Sequence, residues 1–325
     1  MKPSEVAAAL TCCIDARQPA ITWGAPGIGK SQVTQQIGAK LGRKVLDVRA
    51  SLLDPVDLRG IPNVRDGRTH WNAPAFLPAD STPSLILLDE LNRAPVMTQN
   101  ALFQLVLDRK LGEYSLPDTC EIVACCNRES DGGGMVKMPQ ALGNRFTHLF
   151  MEPDLDDWCR WAVAANVEPA VIAFLRFRPD LLHQFSRTDR AFPTPRSWEF
   201  VSRITAKKPG NGIEHALYVG SVGEGAAVEY SAFLRLFREL PNIDAILLNP
   251  ATAQLPTQPS TMFAVSAALA RRASVQNFAR ILEYVNRLPQ EYGVYTVKDA
   301  VRRDPVLTGT PDFTRWGVKN SEVVF

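Results

Sequence analysis

The segment GAPGIGKS, residues 24–31, constrains this chain more than any other feature. It follows the apolar run PAITW at 19–23 and opens a helical pattern from about Gly29 to Leu41. Its spacing is Gly24, four residues, Gly29, Lys30, Ser31, the GxxxxGK[ST] phosphate loop in its required strand–loop–helix setting. Glycines there let backbone N–H groups turn inward with no Cβ in the way. The helix N-terminus adds donors and a dipole that favour negative charge. The loop predicts a polyphosphate cradle formed by Gly24, Ala25, Pro26, Gly27, Ile28, Gly29, Lys30, Ser31 and Gln32. Lys30 is expected on the β- and γ-phosphates and the Ser31 hydroxyl on Mg2+, with ATP as the nucleotide.

The first half alternates strands and helices. After PAITW come KVLDV (44–48), SLILLDE (84–90), EIVACCN (121–127) and THLFME (147–152) as strands, with a helix over 94–110. Continuous apolar strands alternating with helices predict a parallel sheet covered on both faces. The third strand ends in two carboxylates. A parallel strand delivers its C-terminal residues to the same sheet edge as the phosphate loop. Asp89 is therefore expected to hold Mg2+, mostly through water, and Glu90 to orient and polarise the attacking water.

Two hairpins are expected between these elements. VRDGRTHW carries an Asp66-Gly67 turn signal. Trp71 and Phe76 beside it either grip a partner chain or close the domain's own core. LDRKLGEYSLPD (107–118) is the second hairpin, with Arg109 and Lys110 read as solvated.

From about Pro153 the texture becomes helical. Helical patterns run through 154–167, 168–178, 194–206, 223–240, 260–273 and 274–288. DLDD at 154–157 reads as a helix start with acidic first-turn residues, LNPATAQLPTQPS (248–260) as a connector, and residues 308–325 show no clear period.

A net charge of only +2 gives no support to a dedicated nucleic-acid binder. No apolar run approaches the ~20 residues that span a bilayer, and the N-terminus reads as an amphipathic helix rather than a signal peptide. The six cysteines form no CxxC pair or metal spacing, which favours a reducing, cytoplasmic setting.

Taken together, GAPGIGKS, LLDELNRAPVMTQNALFQLVLD, IVACCNRES, ALGNRF and FPTPRSWEF resemble the corresponding segments of MoxR-type AAA+ ATPases. The resemblance covers most of residues 20–205 and implies further roles. Asn127 takes the place of sensor 1, Arg145 that of the arginine finger reaching a neighbouring subunit, and Arg196 that of sensor 2, in cis or from a neighbour. Read without the resemblance, Asn127 is a strand cap and Arg145 a surface ion pair. Two positions depart from the family pattern: Asn144 stands where Asp commonly precedes the finger, and Arg128 follows Asn127 where the family has Pro. The resemblance also places the 57–78 segment at a ring pore.

The expected fold is an α/β P-loop AAA+ core with a parallel five-stranded sheet over 1–152. An α-helical lid and a helical C-terminal extension follow over 153–325, with the role of 241–325 left open. The expected function is an ATP-hydrolysing, Mg-dependent ring motor of MoxR type that remodels or matures a partner protein. The resemblance implies a hexameric homo-oligomer and a von Willebrand factor A-domain partner or protein substrate on a separate chain, with nucleic acid and membrane unlikely as partners. Two alternatives stay open: a nucleic-acid-processing AAA+ ATPase, and a nucleotide-gated scaffold without turnover.

Overall fold

The computed structural model describes residues 1–131, 134–210, 212–240 and 242–320. They divide into two units, Met1–Asp154 and Leu155–Phe325.

The strands of the first unit are β1 (Ala20–Trp23), β2 (Lys44–Arg49), β3 (Ile61–Arg65), β4 (Arg68–Asn72), β5 (Ser84–Asp89), β6 (Lys110–Leu111), β7 (Tyr114–Ser115), β8 (Cys120–Cys126) and β9 (Thr147–Phe150). Its helices are α1 (Pro3–Asp15), α2 (Lys30–Lys40), α3 (Pro55–Arg59), α4 (Val96–Asp108) and α5 (Gln140–Gly143). Five strands form one sheet in the order β2-β5-β8-β1-β9. Every adjacent pair in it is parallel. This is the predicted α/β sheet.

The apolar runs are continuous because both faces are covered. Ala20, Leu85 and Val123 pack with Val6, Leu10 and Ile37 of α1 and α2. Their neighbours Ile21, Ile86 and Ala124 pack on the other face with Leu102, Leu105 and Val106 of α4. Such a strand gains from apolar residues at both parities of the pleat, so the usual alternation is lost. Cys125 and Cys126 belong to this filling. Burial pushes the Cys125 thiol up to about 12, so it packs as a neutral group.

β3 and β4 pair antiparallel through Asp66 and Gly67. Both turn residues take positive φ, 52° and 72°, the geometry of a two-residue hairpin turn. The ribbon leaves Ile61 and Val64 more than 70% exposed. Phe76 packs against the α4-side core, so its own-core reading holds, while Trp71 is half-buried on the ribbon. Arg109 departs from its expected solvated state. It caps α4, donates to the Pro117 carbonyl at 2.8 Å and to the Cys120 carbonyl, and lies 3.5 Å from the buried Glu121 carboxylate. Burial raises the Glu121 pKa and the Arg109 charge opposes that rise. Lys110 is exposed as expected.

The second unit is helical: α6 (Leu155–Ala164), α7 (Pro169–Phe177), α8 (Pro195–Ala206), α9 (Glu214–Val222), α10 (Glu224–Arg238), α11 (Ile243–Leu248), α12 (Pro259–Arg272), α13 (Phe278–Val285), α14 (Gln290–Arg303) and α15 (Pro311–Lys319). Asp156 and Asp157 occupy the first turn of α6. Phe174 anchors the core, its ring 5.4 Å from Trp198 and 5.3 Å from Tyr230. Ala264 and Ala267 of α12 pack into this same cluster, which ties the C-terminal stretch to the helices before it. Residues 241 and 321–325 of that stretch lie outside the described residues.

The sequence reading leaves α9, α11, α14 and α15 unassigned. The 308–325 stretch does contain a helix, α15, whose Thr310 cap accepts from the Phe313 N–H and whose first helical residue is Pro311. It buries only Trp316, so no apolar stripe marks it. α14 is disguised by Gly293 and by the β-branched residues Val294, Thr296 and Val297.

α14 is fixed to α7 by a buried ion pair. Arg176 meets Asp299 through two parallel bonds, one of them 2.7 Å, and both side chains are at most 7% exposed. Removing one partner strands the other charge in the interior, at a cost of about 3–5 kcal/mol. Asp299→Ala should therefore lower stability to chemical denaturation by roughly that amount. A change under about 1 kcal/mol would show that water reaches Arg176 once its partner is gone.

Candidate nucleotide site

The sheet order brings three strand ends to one edge. β8 lies between β5 and β1, so Asp89, Asn127 and the phosphate loop are neighbours there. Trp23 and Cys126 are in register, and the Gly24 N–H donates to the Cys126 carbonyl at 3.2 Å. The loop then turns into α2 through Gly29, whose φ of 95° suits glycine and few other residues. Gly24 is equally restricted: a Cβ there would sit 2.7 Å from the Met151 carbonyl oxygen.

Lys30 is 8% exposed. Its ammonium donates to the Gly24 carbonyl at 2.8 Å, the Ala25 carbonyl at 2.9 Å and Asn127 Oδ1 at 2.8 Å. An ammonium has three protons, and all three are used. Burial pushes the Lys30 pKa below the ordinary lysine value, and the nearby Asp89 carboxylate partly offsets this. The Ser31 hydroxyl donates to Asp89 Oδ2 at 2.7 Å.

Glu90 follows in a left-handed conformation, φ 54°. That conformation is uncommon for a residue with a side chain and marks a constrained position. Its carboxylate accepts from Ser51 at 2.8 Å and from Arg93 at 3.1 Å. Partial burial raises its pKa, but the Ser51 hydrogen bond and the Arg93 and Arg49 charges outweigh this and hold the carboxyl below its ordinary value. Glu90 is therefore ionised at neutral pH.

Lys30, Ser31, Asp89, Glu90 and Asn127 thus share one edge. Ala25, Pro26, Gly27, Ile28 and Gln32 belong to the same loop and helix start. Two polar partners were not picked out from the sequence. Ser51 reaches Glu90 from a position 39 residues upstream, because β2 neighbours β5. Asn92, 2% exposed, bonds Asn127. Its only signal was its place inside the DELNRAP run.

Arg145 is elsewhere. It precedes β9, and β9 starts level with Ala20, so Arg145 lies at the opposite end of the sheet from Gly24. The strand stretch between them, Ala20 to Gly24, is four residue steps, about 13 Å at ~3.3 Å per residue. Its guanidinium stands 5.8 Å from the centre of the Phe103 ring. Among the described residues it makes no ion pair, against the surface-pair alternative. Arg128, by contrast, is occupied within its own chain by Asp131 at 3.3 Å and Glu152 at 3.0 Å. Arg196 is exposed on the first turn of α8, in the second unit.

The donor set also bears on Mg2+. Among the described residues no group of three or more His, Cys, Asp or Glu side chains could hold a metal. Ser31 and Asp89 nonetheless place a hydroxyl and a carboxylate oxygen together. Mg2+ commonly takes one or two protein oxygens and completes its shell with water and phosphate, so these two residues fit it.

Residues 20–146 match the family model of the AAA domain, dynein-related subfamily. That segment is an AAA domain. Among curated proteins the chain is 29% identical over 141 residues to midasin of Dictyostelium discoideum, covering 40% of this chain. It is 30% identical over 144 residues to midasin of Giardia intestinalis, covering 42% of this chain. It spans only 2% and 3% of those two proteins. Among solved structures, NtrX from Brucella abortus in complex with ADP aligns at TM-score 0.38 and 12% identity, covering 98% of this chain and 67% of that one. The Holliday junction branch migration motor RuvB of Thermotoga maritima aligns at TM-score 0.37 and 10% identity, covering 88% and 75%. Among the described residues no helix is long and apolar enough to cross a membrane.

Proposed function

Taking residues 20–146 as an AAA domain, we propose that the chain is an Mg-dependent ATPase and a ring motor of MoxR type that remodels or matures a partner protein or complex. The observation that carries the reading is the convergence of Lys30, Ser31, Asp89, Glu90 and Asn127 at one sheet edge.

The phosphates of ATP sit on the N–H groups of the 24–31 loop and the N-terminus of α2. Lys30 exchanges its carbonyl partners for β- and γ-phosphate oxygens and offsets the charge that builds there. Mg2+ held by Ser31 and Asp89 would neutralise further phosphate charge. Glu90 is the ionised base: it orients the attacking water and accepts its proton. Asn127 holds the γ-phosphate and water in line. Arg196 touches nucleotide as sensor 2, in cis or from a neighbour.

Arg145 is the finger. The length of the strands, about 13 Å from the Ala20 level to Gly24, separates it from its own loop, so it serves the site of another copy. Its freedom from ion pairs among the described residues supports this, as does the cation–π platform of Phe103. The assembly is then a homo-oligomer, a hexameric ring on the family pattern. The ribbon β3–β4, with its exposed Ile61 and Val64, contacts the substrate protein or a von Willebrand factor A-domain partner on a separate chain. The setting is cytoplasmic.

The test is ATPase rate per subunit against protein concentration, for the natural chain and for a 1:1 mixture with Arg145→Ala. Arg145→Ala alone should lose about 10³-fold or more in turnover with nucleotide affinity nearly intact. The rate should climb with concentration and the mixture should fall well below half activity. A flat rate across the monomer-to-oligomer range, with a mixture at the simple average, would mean that each chain hydrolyses alone. Stimulation by DNA would instead favour nucleic-acid processing.

A further inference from the structure

Asn92 has no part in the reaction as derived above, yet it is among the most enclosed polar side chains of the first unit, 2% exposed. It lies in the short turn after β5, two residues past Glu90. Its carboxamide faces the backbone of a single residue just past the neighbouring strand β8. Nδ2 donates to the Asn127 carbonyl at 2.8 Å, and Oδ1 accepts from the Asn127 N–H at 3.3 Å. Its own carbonyl accepts from the Val136 N–H at 2.8 Å.

We propose that Asn92 is a positioning residue for the phosphate site, clamping the Asn127 backbone at both ends so that the Asn127 carboxamide is held against Lys30. The reasoning is geometric. Asn127 is the first residue beyond β8; the Gly24 bond to the Cys126 carbonyl holds the peptide before it, and the peptide after it has no strand ladder to fix it. A residue in that place can rotate, and its side chain rotates with it. Two bonds from one rigid amide remove that freedom. Asn127 Oδ1 then rests 2.8 Å from Lys30 Nζ, one residue contact away from the phosphates. A leucine or serine at 92 could fill space, but neither presents a donor and an acceptor at the spacing of one peptide unit.

This inference rests on the proposed hydrolysis, and the test separates the two. Wild-type protein without turnover would sink the hydrolysis reading alone. The clamp is read independently from a crystal structure of Asn92→Ala: Asn127 Oδ1 should leave hydrogen-bond range of Lys30 Nζ. A contact retained near 2.8 Å overturns the clamp. In an active protein, Asn92→Ala should lower kcat by about 10–100-fold while nucleotide Kd moves less than about threefold. The same substitution in an Asn127→Ala background should cost almost nothing more, because the clamp acts only through Asn127. Losses that multiply in the double variant, or a kcat that falls together with nucleotide affinity and Tm, would reduce Asn92 to a structural residue. Asn92→Asp guards against a failure to fold. It keeps the volume and the acceptor but sets a carboxylate against the Asn127 carbonyl, so it should reproduce the kcat loss.

Discussion

Lys30→Ala is expected to weaken nucleotide binding by two orders of magnitude or more, to the point of no measurable occupancy at millimolar ATP. The ammonium is the one cation buried within the loop, and hydrogen bonds to charged groups contribute about 1.5–3 kcal/mol each. Losing two contacts to phosphate oxygens would cost about 3–6 kcal/mol, or some 10²–10⁴-fold in Kd. The loss is compounded before any nucleotide arrives. The Gly24 and Ala25 carbonyls and Asn127 Oδ1 all depend on this ammonium and would be left without their donor. The loop should therefore lose its shape as well as its charge. Titration calorimetry with a non-hydrolysable ATP analogue measures this directly. A Kd within threefold of the natural chain would mean that nucleotide does not bind at residues 24–31.

Glu90→Gln should separate binding from turnover. The glutamine keeps the size of the side chain and an oxygen that can accept from Ser51, which now holds Glu90 at 2.8 Å. It cannot take a proton from water. Positioned general bases contribute about 10²–10⁴-fold, and kcat should fall by that factor while nucleotide Kd stays within a few-fold. The variant should accumulate bound ATP rather than ADP, so rapid quench and analysis of the bound nucleotide distinguishes the two outcomes. Turnover within threefold of the natural chain would remove Glu90 from the chemistry. Loss of binding equal to that of Lys30→Ala would instead mean that the left-handed turn at 90 does not tolerate the change.

The sheet and the phosphate loop were legible for one reason. A parallel strand covered on both faces has to be apolar throughout, and SLILLD and CEIVACC stand out against their Pro- and Gly-marked borders. The loop declared itself because its glycines have conformational duties, as the positive φ at Gly29 shows. What escaped notice was held by distance along the chain. Ser51 meets Glu90, and Asn92 meets Asn127, only because β5 has β2 on one side and β8 on the other. No local spacing encodes that adjacency. Arg109 was misread for a similar reason, since its carbonyl and carboxylate partners come from the far side of a hairpin. The helices α14 and α15 were missed because glycine and β-branched residues obscure one, and the other buries a single tryptophan.

In the assembly proposed above, the separation of Arg145 from Gly24 along the strands would give each subunit a head and a tail. Contacts made by unlike surfaces are heterologous: each added copy leaves one site and one finger open. Such a proposed assembly would have two outcomes, a closed circle or an endless helical filament, and the rotation between successive copies would choose between them. A change that alters this angle by a few degrees, far from any phosphate, would switch a discrete particle into a polymer without touching a single residue of the site.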